Sequence, residues 1–242
     1  MQIYGHRGVL ARRPGNTVEG VALAFADGAD GVEIDVRRTA DGRLVCCHDP
    51  RVAFDNGTRM RLLAQTDVAL QASTFRGGYR LARPEELLDV AAGRRVIVEI
   101  KNNKLARDYD VTATASANAL LELLDARAAA GCIDVVSVSS FDIRVIDAVR
   151  AARPDLVTGY LTRYRTRVRT AISRAIGRGH AECHLHVSSL LADPGGVSRL
   201  NAAGLQVIGW TVNAPEDAHI LAAAGVNGVI TDDPLALRTA LG

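Results

Sequence analysis

Lysine is almost missing from this chain. Of its 29 basic residues 27 are arginine, which leaves Lys101 and Lys104 as the two exceptions. A basic excess is missing too. The net charge of +2 argues against a nucleic-acid partner, because such domains carry a clear positive surplus on one face. No run approaches the roughly 18 apolar residues of a membrane span, and the opening MQIYGHRG has no charged flank leading into a long apolar stretch. The expectation is a soluble, cytoplasmic protein without stable membrane insertion. The four cysteines, Cys46, Cys47, Cys132 and Cys183, form neither a CxxC pair nor a metal-ligand spacing, so they read as reduced thiols. Neither GxGxxG nor a P-loop pattern occurs, which removes the main support for an open, nucleotide-binding sheet.

What is present is a repeating rhythm. Short β-branched runs near 2–5, 31–36, 95–100, 134–139, 156–161, 182–187, 205–211 and 227–231 alternate with helical patterns. The helices are expected over 17–27, 84–92, 111–130, 141–152, 166–176, 195–203 and 214–224. Eight strands with crossover helices in 242 residues, 48% of them apolar, fit an α/β fold of the (β/α)8 TIM-barrel type, with one domain over 1–242. A further run, Leu44 to His48, follows the turn signal Asp41-Gly42 and is expected to fold back on the second strand. From about 49 to 83 the chain reads as irregular, an insertion or lid beside the mouth.

Strand alternation decides which residues share a face. In VEIDV, Glu33 and Asp35 point one way and Val32, Ile34 and Val36 the other; in VIVEIK, Glu99 and Lys101 share a side. At the C-terminal mouth of a barrel these groups become neighbours of His6 and Arg7. Three converging carboxylates repel one another. Lys101 and Arg7 offset part of that charge, and a hard divalent cation, Mg²⁺ or Ca²⁺, is the expected remainder. A salt-bridged network of the same carboxylates without metal is the alternative. His6 and His48 at one mouth suit general acid and base work, and beside Arg7 and a cation they suggest phosphate ester chemistry.

The order of motifs resembles the glycerophosphodiester phosphodiesterase family. His6-Arg7-Gly8, Pro14-Gly15-Asn16-Thr17, Glu33-Ile34-Asp35-Val36, Thr39-Ala40-Asp41-Gly42 and Val45 to Asp49 match in sequence. Further on, Glu99-Ile100-Lys101, Ser140-Phe141-Asp142, the WTVN stretch Trp210 to Asn213 and the closing Gly225 to Asp232 match as well. The resemblance implies a TIM barrel with a small insertion after the second strand. It implies cleavage of glycerophosphodiesters to glycerol 3-phosphate and an alcohol, with lysophospholipids or other phosphodiesters as alternative substrates. It also implies metal on Glu33, Asp35 and Glu99, acid/base roles for His6 and His48, and phosphate contacts from Arg7 and Lys101. Trp210 would wall the glycerol carbons or simply pack the core.

The departure from the pattern is Gly15, where the family has glutamate; reduced metal affinity, a shifted substrate or a non-catalytic binding barrel could follow. The run Arg163 to Arg169, with Arg174 and Arg178, reads as a solvated helix face or as an electropositive rim. His184 and His186 share a strand face and read mainly as packing residues. Val52, Phe54, Leu62, Leu63, Leu70 and Phe75 in the insertion either favour a lipid substrate or pack the insertion itself.

Overall fold

In a computed structural model, which describes residues 1–104, 106 and 108–242, the alternation of short apolar strands and helices closes on itself. The chain begins β1 (Gln2–His6), α1 (Val18–Ala26), β2 (Gly31–Arg38) and β3 (Leu44–Cys46). A short hairpin, β4 (Arg51–Ala53) and β5 (Arg59–Arg61), and the one-turn helix α2 (Asp67–Gln71) follow. Then come α3 (Pro84–Ala91), β6 (Arg95–Ile100), α4 (Ala115–Ala129), β7 (Val136–Ser140), α5 (Ile143–Ala152) and β8 (Val157–Leu161). The last third carries α6 (Val168–Ile176), β9 (Glu182–His186), α7 (Val187–Leu191), α8 (Gly195–Ala202), β10 (Gln206–Trp210), α9 (Pro215–Ala223), β11 (Gly228–Thr231) and α10 (Pro234–Leu241).

The strands pair in the order β1, β11, β10, β9, β8, β7, β6, β2, and β2 pairs β1 again, so eight parallel strands form a closed TIM barrel. Val32, Ile34 and Val36 turn outward into the main apolar core with helix residues such as Val21, Leu87 and Leu120. The opposite face of each strand fills the barrel lumen, where Tyr4, Ile97, Ile208 and Ile230 form a small apolar cluster. Below the mouth, Arg95 is ion-paired with buried Glu182 and donates to the Tyr4 hydroxyl at 3.1 Å.

β3 runs antiparallel to β2, with Val36 opposite Cys46 and Arg38 opposite Leu44, as the Asp41-Gly42 turn predicts. The segment from 49 to 83 is less irregular than expected. It holds β4, β5 and α2 around its own core, in which Val52, Leu62, Leu70 and Phe75 are buried and Phe54 packs beside them. Packing the insertion is thus the use made of these five apolar residues. These strands leave no sequence signal, because each is three residues long and holds arginine, giving no alternation to detect. Two further helices add to the expected set, α7, capped by the His186 side chain, and α10, capped by Asp233 and opened by Pro234.

The turn after β1 is tight. Arg7 has φ 52° and Gly8 φ 94°, and a Cβ on Gly8 would stand 2.5 Å from the Gly20 carbonyl carbon. A Gly8→Ala variant should lose about 2 kcal/mol or more, because left-handed backbone and a backbone clash act together. Thermal unfolding beside wild type reads this directly; an unchanged Tm would contradict it.

Candidate active site

Register places the polar side chains before any loop is considered. His6 lies opposite Glu33 across the β1–β2 pair, and Asp35 opposite Glu99 across β2–β6. Glu33, Asp35 and Glu99 are all buried, and each offers an oxygen within 4.8 Å of the others. Lys101 Nζ stands 2.7 Å from both Asp35 Oδ1 and Glu99 Oε1. Arg7 Nε is 2.9 Å from Asp35 Oδ2, and Asn16 holds the same residue from both ends, donating to Oδ2 at 3.0 Å and accepting from its backbone N–H at 2.9 Å.

Charge is shared unequally among the three acids. Burial acts on Asp35 to raise its pKa, but the Lys101 and Arg7 cations outweigh it and hold the carboxyl far below the usual range. Glu33 goes the other way: burial, then Asp35 and Glu99, push it well above the ordinary carboxylate value. Burial raises Glu99 too, against the pull of Lys101. Glu33 receives the Arg7 backbone N–H on Oε2 at 3.3 Å, while its buried Oε1 has no hydrogen-bond partner among the described residues. The salt-bridged network therefore pairs Asp35 and Glu99 with Lys101 and leaves Glu33 Oε1 without a partner among the described residues. An all-oxygen donor set with one unmatched buried oxygen fits a hard divalent cation.

Both predicted histidines reach the mouth. His6 Nδ1 lies 2.5 Å from Asp232 Oδ1, and its Nε2 is 3.9 Å from Glu33 Oε2. Asn213 steadies Asp232 by donating at 2.7 Å; burial would raise this acid, but the bonds from His6 and Asn213 keep it below the usual range. His48 arrives on the return of β3, where the Cys47 N–H bonds the Asp35 carbonyl at 3.0 Å. Its own carbonyl accepts from Arg37 Nε at 2.8 Å, and Arg37 is ion-paired with Asp108. His48 Nδ1 contacts Asp49 at 2.8 Å, and burial followed by the nearby Lys101 lowers the imidazole pKa.

These groups surround a cavity of about 360 Å³ that His6, Arg7, His48 and Lys101 share with Phe141 and Trp210. Trp210 stands edge-on to Phe141 and to His186, at 5.5 and 4.9 Å between ring centres, and donates to the His184 carbonyl at 3.2 Å. It is thus a wall of the cavity and not a residue of the apolar interior alone. His184 itself is buried, bonded to Glu182 at 2.9 Å, and is among the residues lining the cavity. Arg163, Arg165, Arg167 and Arg169 are exposed, as a solvated face requires; among them Arg163 reaches over Phe141, and beyond them Arg174 bonds Tyr160 and Arg178 pairs with Asp147.

Sequence reasoning did not single out Asp232, Asn16 or Arg37. Asp232 and Asn16 do stand inside the closing TD and PGNT motifs, which was their one signal. Arg37 had none, because it acts on a backbone carbonyl supplied by the strand that folds back.

A family model described as the glycerophosphoryl diester phosphodiesterase family matches residues 6–236. The chain belongs to this enzyme family. A glycerophosphodiester phosphodiesterase of Caldanaerobacter subterraneus is 26% identical over 240 residues, covering 96% of this chain and 94% of the relative. The fold matches that of an Oleispira antarctica phosphodiesterase solved with the product sn-glycerol-3-phosphate, at TM-score 0.84 and 22% identity, over 100% of this chain and 96% of the other. It also matches a glycerophosphodiester phosphodiesterase of Thermotoga maritima, at TM-score 0.78 and 22% identity, over 98% and 96% of the two chains. No helix among the described residues is long and apolar enough to cross a membrane.

Proposed function

We propose that this single-barrel chain hydrolyses glycerophosphodiesters to glycerol 3-phosphate and an alcohol, with the help of a divalent cation. The observation that carries the reading is the buried Glu33 Oε1, without a hydrogen-bond partner among the described residues, beside two imidazoles and Arg7 around one cavity. Glu33, Asp35 and Glu99 would hold Mg²⁺ or Ca²⁺, which supplies neutralisation of the charge that develops on the phosphoryl oxygens.

The chain's own residues then have distinct tasks. Arg7, already oriented by Asp35, holds a non-bridging phosphate oxygen. One imidazole of the His6 and His48 pair takes the proton of the glycerol 2-hydroxyl as that oxygen attacks phosphorus. The other gives a proton to the departing alcohol oxygen as its P–O bond breaks. Water then opens the cyclic phosphate with the roles reversed, leaving glycerol 3-phosphate. Asp232 fixes the His6 ring, and Trp210 with Phe141 shields the glycerol carbons. Lys101 bridges Asp35 and Glu99, so its contact with phosphate is secondary to holding the acids together. The product bound by the Oleispira relative is the one this reaction releases. A lysophospholipid substrate has less support, because Val52, Phe54, Leu62, Leu70 and Phe75 pack the insertion's own core and Leu63 alone of the six lies outside it.

Purified protein given glycerophosphocholine with Mg²⁺, with Ca²⁺ or with a chelator is expected to release glycerol 3-phosphate only when metal is present. Equal release in excess chelator would remove the cation from the reaction, and no release under any condition would remove this substrate class.

A further inference from the structure

A second, larger cavity of about 500 Å³ lies against the first and shares Arg7 and His48 with it. It runs from Gly15 across to the insertion, where Arg51, Arg59 and Arg76 line it. The β4–β5 register explains the grouping. Ala53 is opposite Arg59, Arg51 shares that face two residues away, and the Arg76 N–H bonds the Ala53 carbonyl at 2.8 Å, so three arginines gather about one alanine.

Their charge is unspent. Several other arginines of this chain bridge to acids, as Arg83 does to Asp67, Arg127 to Asp134 and Arg144 to Asp142. Arg51, Arg59 and Arg76 make no side-chain hydrogen bond or ion pair among the described residues. The one carboxylate lining the cavity, Asp49, is occupied with His48. Gly15 keeps the balance positive. The family pattern would place a glutamate there, bringing a negative charge to the rim, and even a Cβ would press on Arg7 and Leu10 at 3.0 Å.

We propose that this cavity is the subsite for the leaving alcohol and that it selects headgroups carrying an oxyanion of their own. The inference rests on the hydrolase reading and names its substrate class: glycerophosphodiesters whose alcohol bears a second phosphate or a carboxylate. The arginine fork matches either oxyanion in two-point contact, whereas a quaternary ammonium headgroup meets three uncompensated cations. His48 sits where the two cavities join, so a headgroup held by the arginines lies beside an imidazole able to protonate its departing oxygen.

The test compares kcat/KM for glycerophosphoinositol 4-phosphate, glycerophosphoserine, glycerophosphoinositol and glycerophosphocholine, in wild type and in the Arg59→Gln/Arg76→Gln double variant. Wild type should prefer the phosphorylated headgroup over choline at least tenfold. The double variant should lose that preference through KM, with choline turnover within about twofold of wild type and an unchanged Tm. Serine tracking the phosphorylated substrate would assign recognition to any oxyanion; serine tracking choline would assign it to phosphate. Equal use of all headgroups, or a variant that loses every substrate alike, would overturn the subsite. If no diester turns over, the hydrolase reading fails by itself. Calorimetric binding of inositol 1,4-bisphosphate, expected to weaken at least tenfold in the double variant, then decides the subsite separately, and binding equal in both proteins would overturn it.

Discussion

Replacing His6 with alanine should lower kcat/KM for a glycerophosphodiester by about 10²–10⁴-fold, the usual yield of one positioned acid or base. That loss corresponds to roughly 3–5 kcal/mol of barrier. The effect should fall on kcat, because His6 Nε2 faces the reacting cavity while Arg7 and the acids that orient the phosphate stay in place. Cation binding and Tm should change little. Asp232→Asn gives the more telling comparison. It keeps the shape around Nδ1 and removes the charge that fixes the ring, so kcat should fall, though less than in the alanine variant, with KM little changed. A His6→Ala enzyme retaining more than a tenth of wild-type activity would take His6 out of the chemistry.

The second large effect concerns stability. Lys101→Met removes the ammonium that lies 2.7 Å from two buried carboxylates, leaving Asp35 and Glu99 facing each other without it. Stripping one partner from a buried ionic cluster costs about 3–5 kcal/mol. For a chain of this length that is a fall in Tm of roughly 6–20 °C. The loss should be smaller in acid, where the acids take up protons, and should be partly recovered by adding divalent cation. Glu33→Gln should act in the opposite direction. Its carboxyl is raised by burial and by Asp35 and Glu99, so the folded metal-free protein holds this proton more tightly than the unfolded chain. That contribution is complete below the unfolded pKa and is lost as pH climbs through the folded one. Glutamine removes this penalty, so in chelator at neutral pH the variant should melt higher than wild type while no longer gaining stability from added cation. Thermal melts with and without metal at two pH values check all of these signs; a Lys101→Met protein as stable as wild type in chelator would break the electrostatic account.

The barrel was legible because its signal is local. VEIDV already separates Glu33 and Asp35 from the aliphatics that face the helices, and the EIK run does the same for Glu99 and Lys101. Both pairs sit where alternation puts them. His48 was placed by one turn signal, Asp41-Gly42, and by the antiparallel return it commands. What stayed hidden is whatever depends on register between distant segments. Asp232 follows the last strand and has no neighbour in sequence to suggest a histidine partner 226 residues away. Arg37 works by gripping a main-chain carbonyl, a task that any donor at that height could do and that leaves no pattern. The hairpin of β4 and β5 is short and arginine-rich, so its face became visible only when Ala53 was seen opposite Arg59.

The His6–Asp232 bond joins the end of the first strand to the residue after the last, and β1 pairs with both β2 and β11. The pair can form only when the barrel has closed, which is the most non-local event in folding this chain. Turnover is therefore a reporter of ring closure. During refolding, helical signal should return before activity, and a species with most strands paired but the first and last apart would be nearly native in secondary structure and catalytically silent.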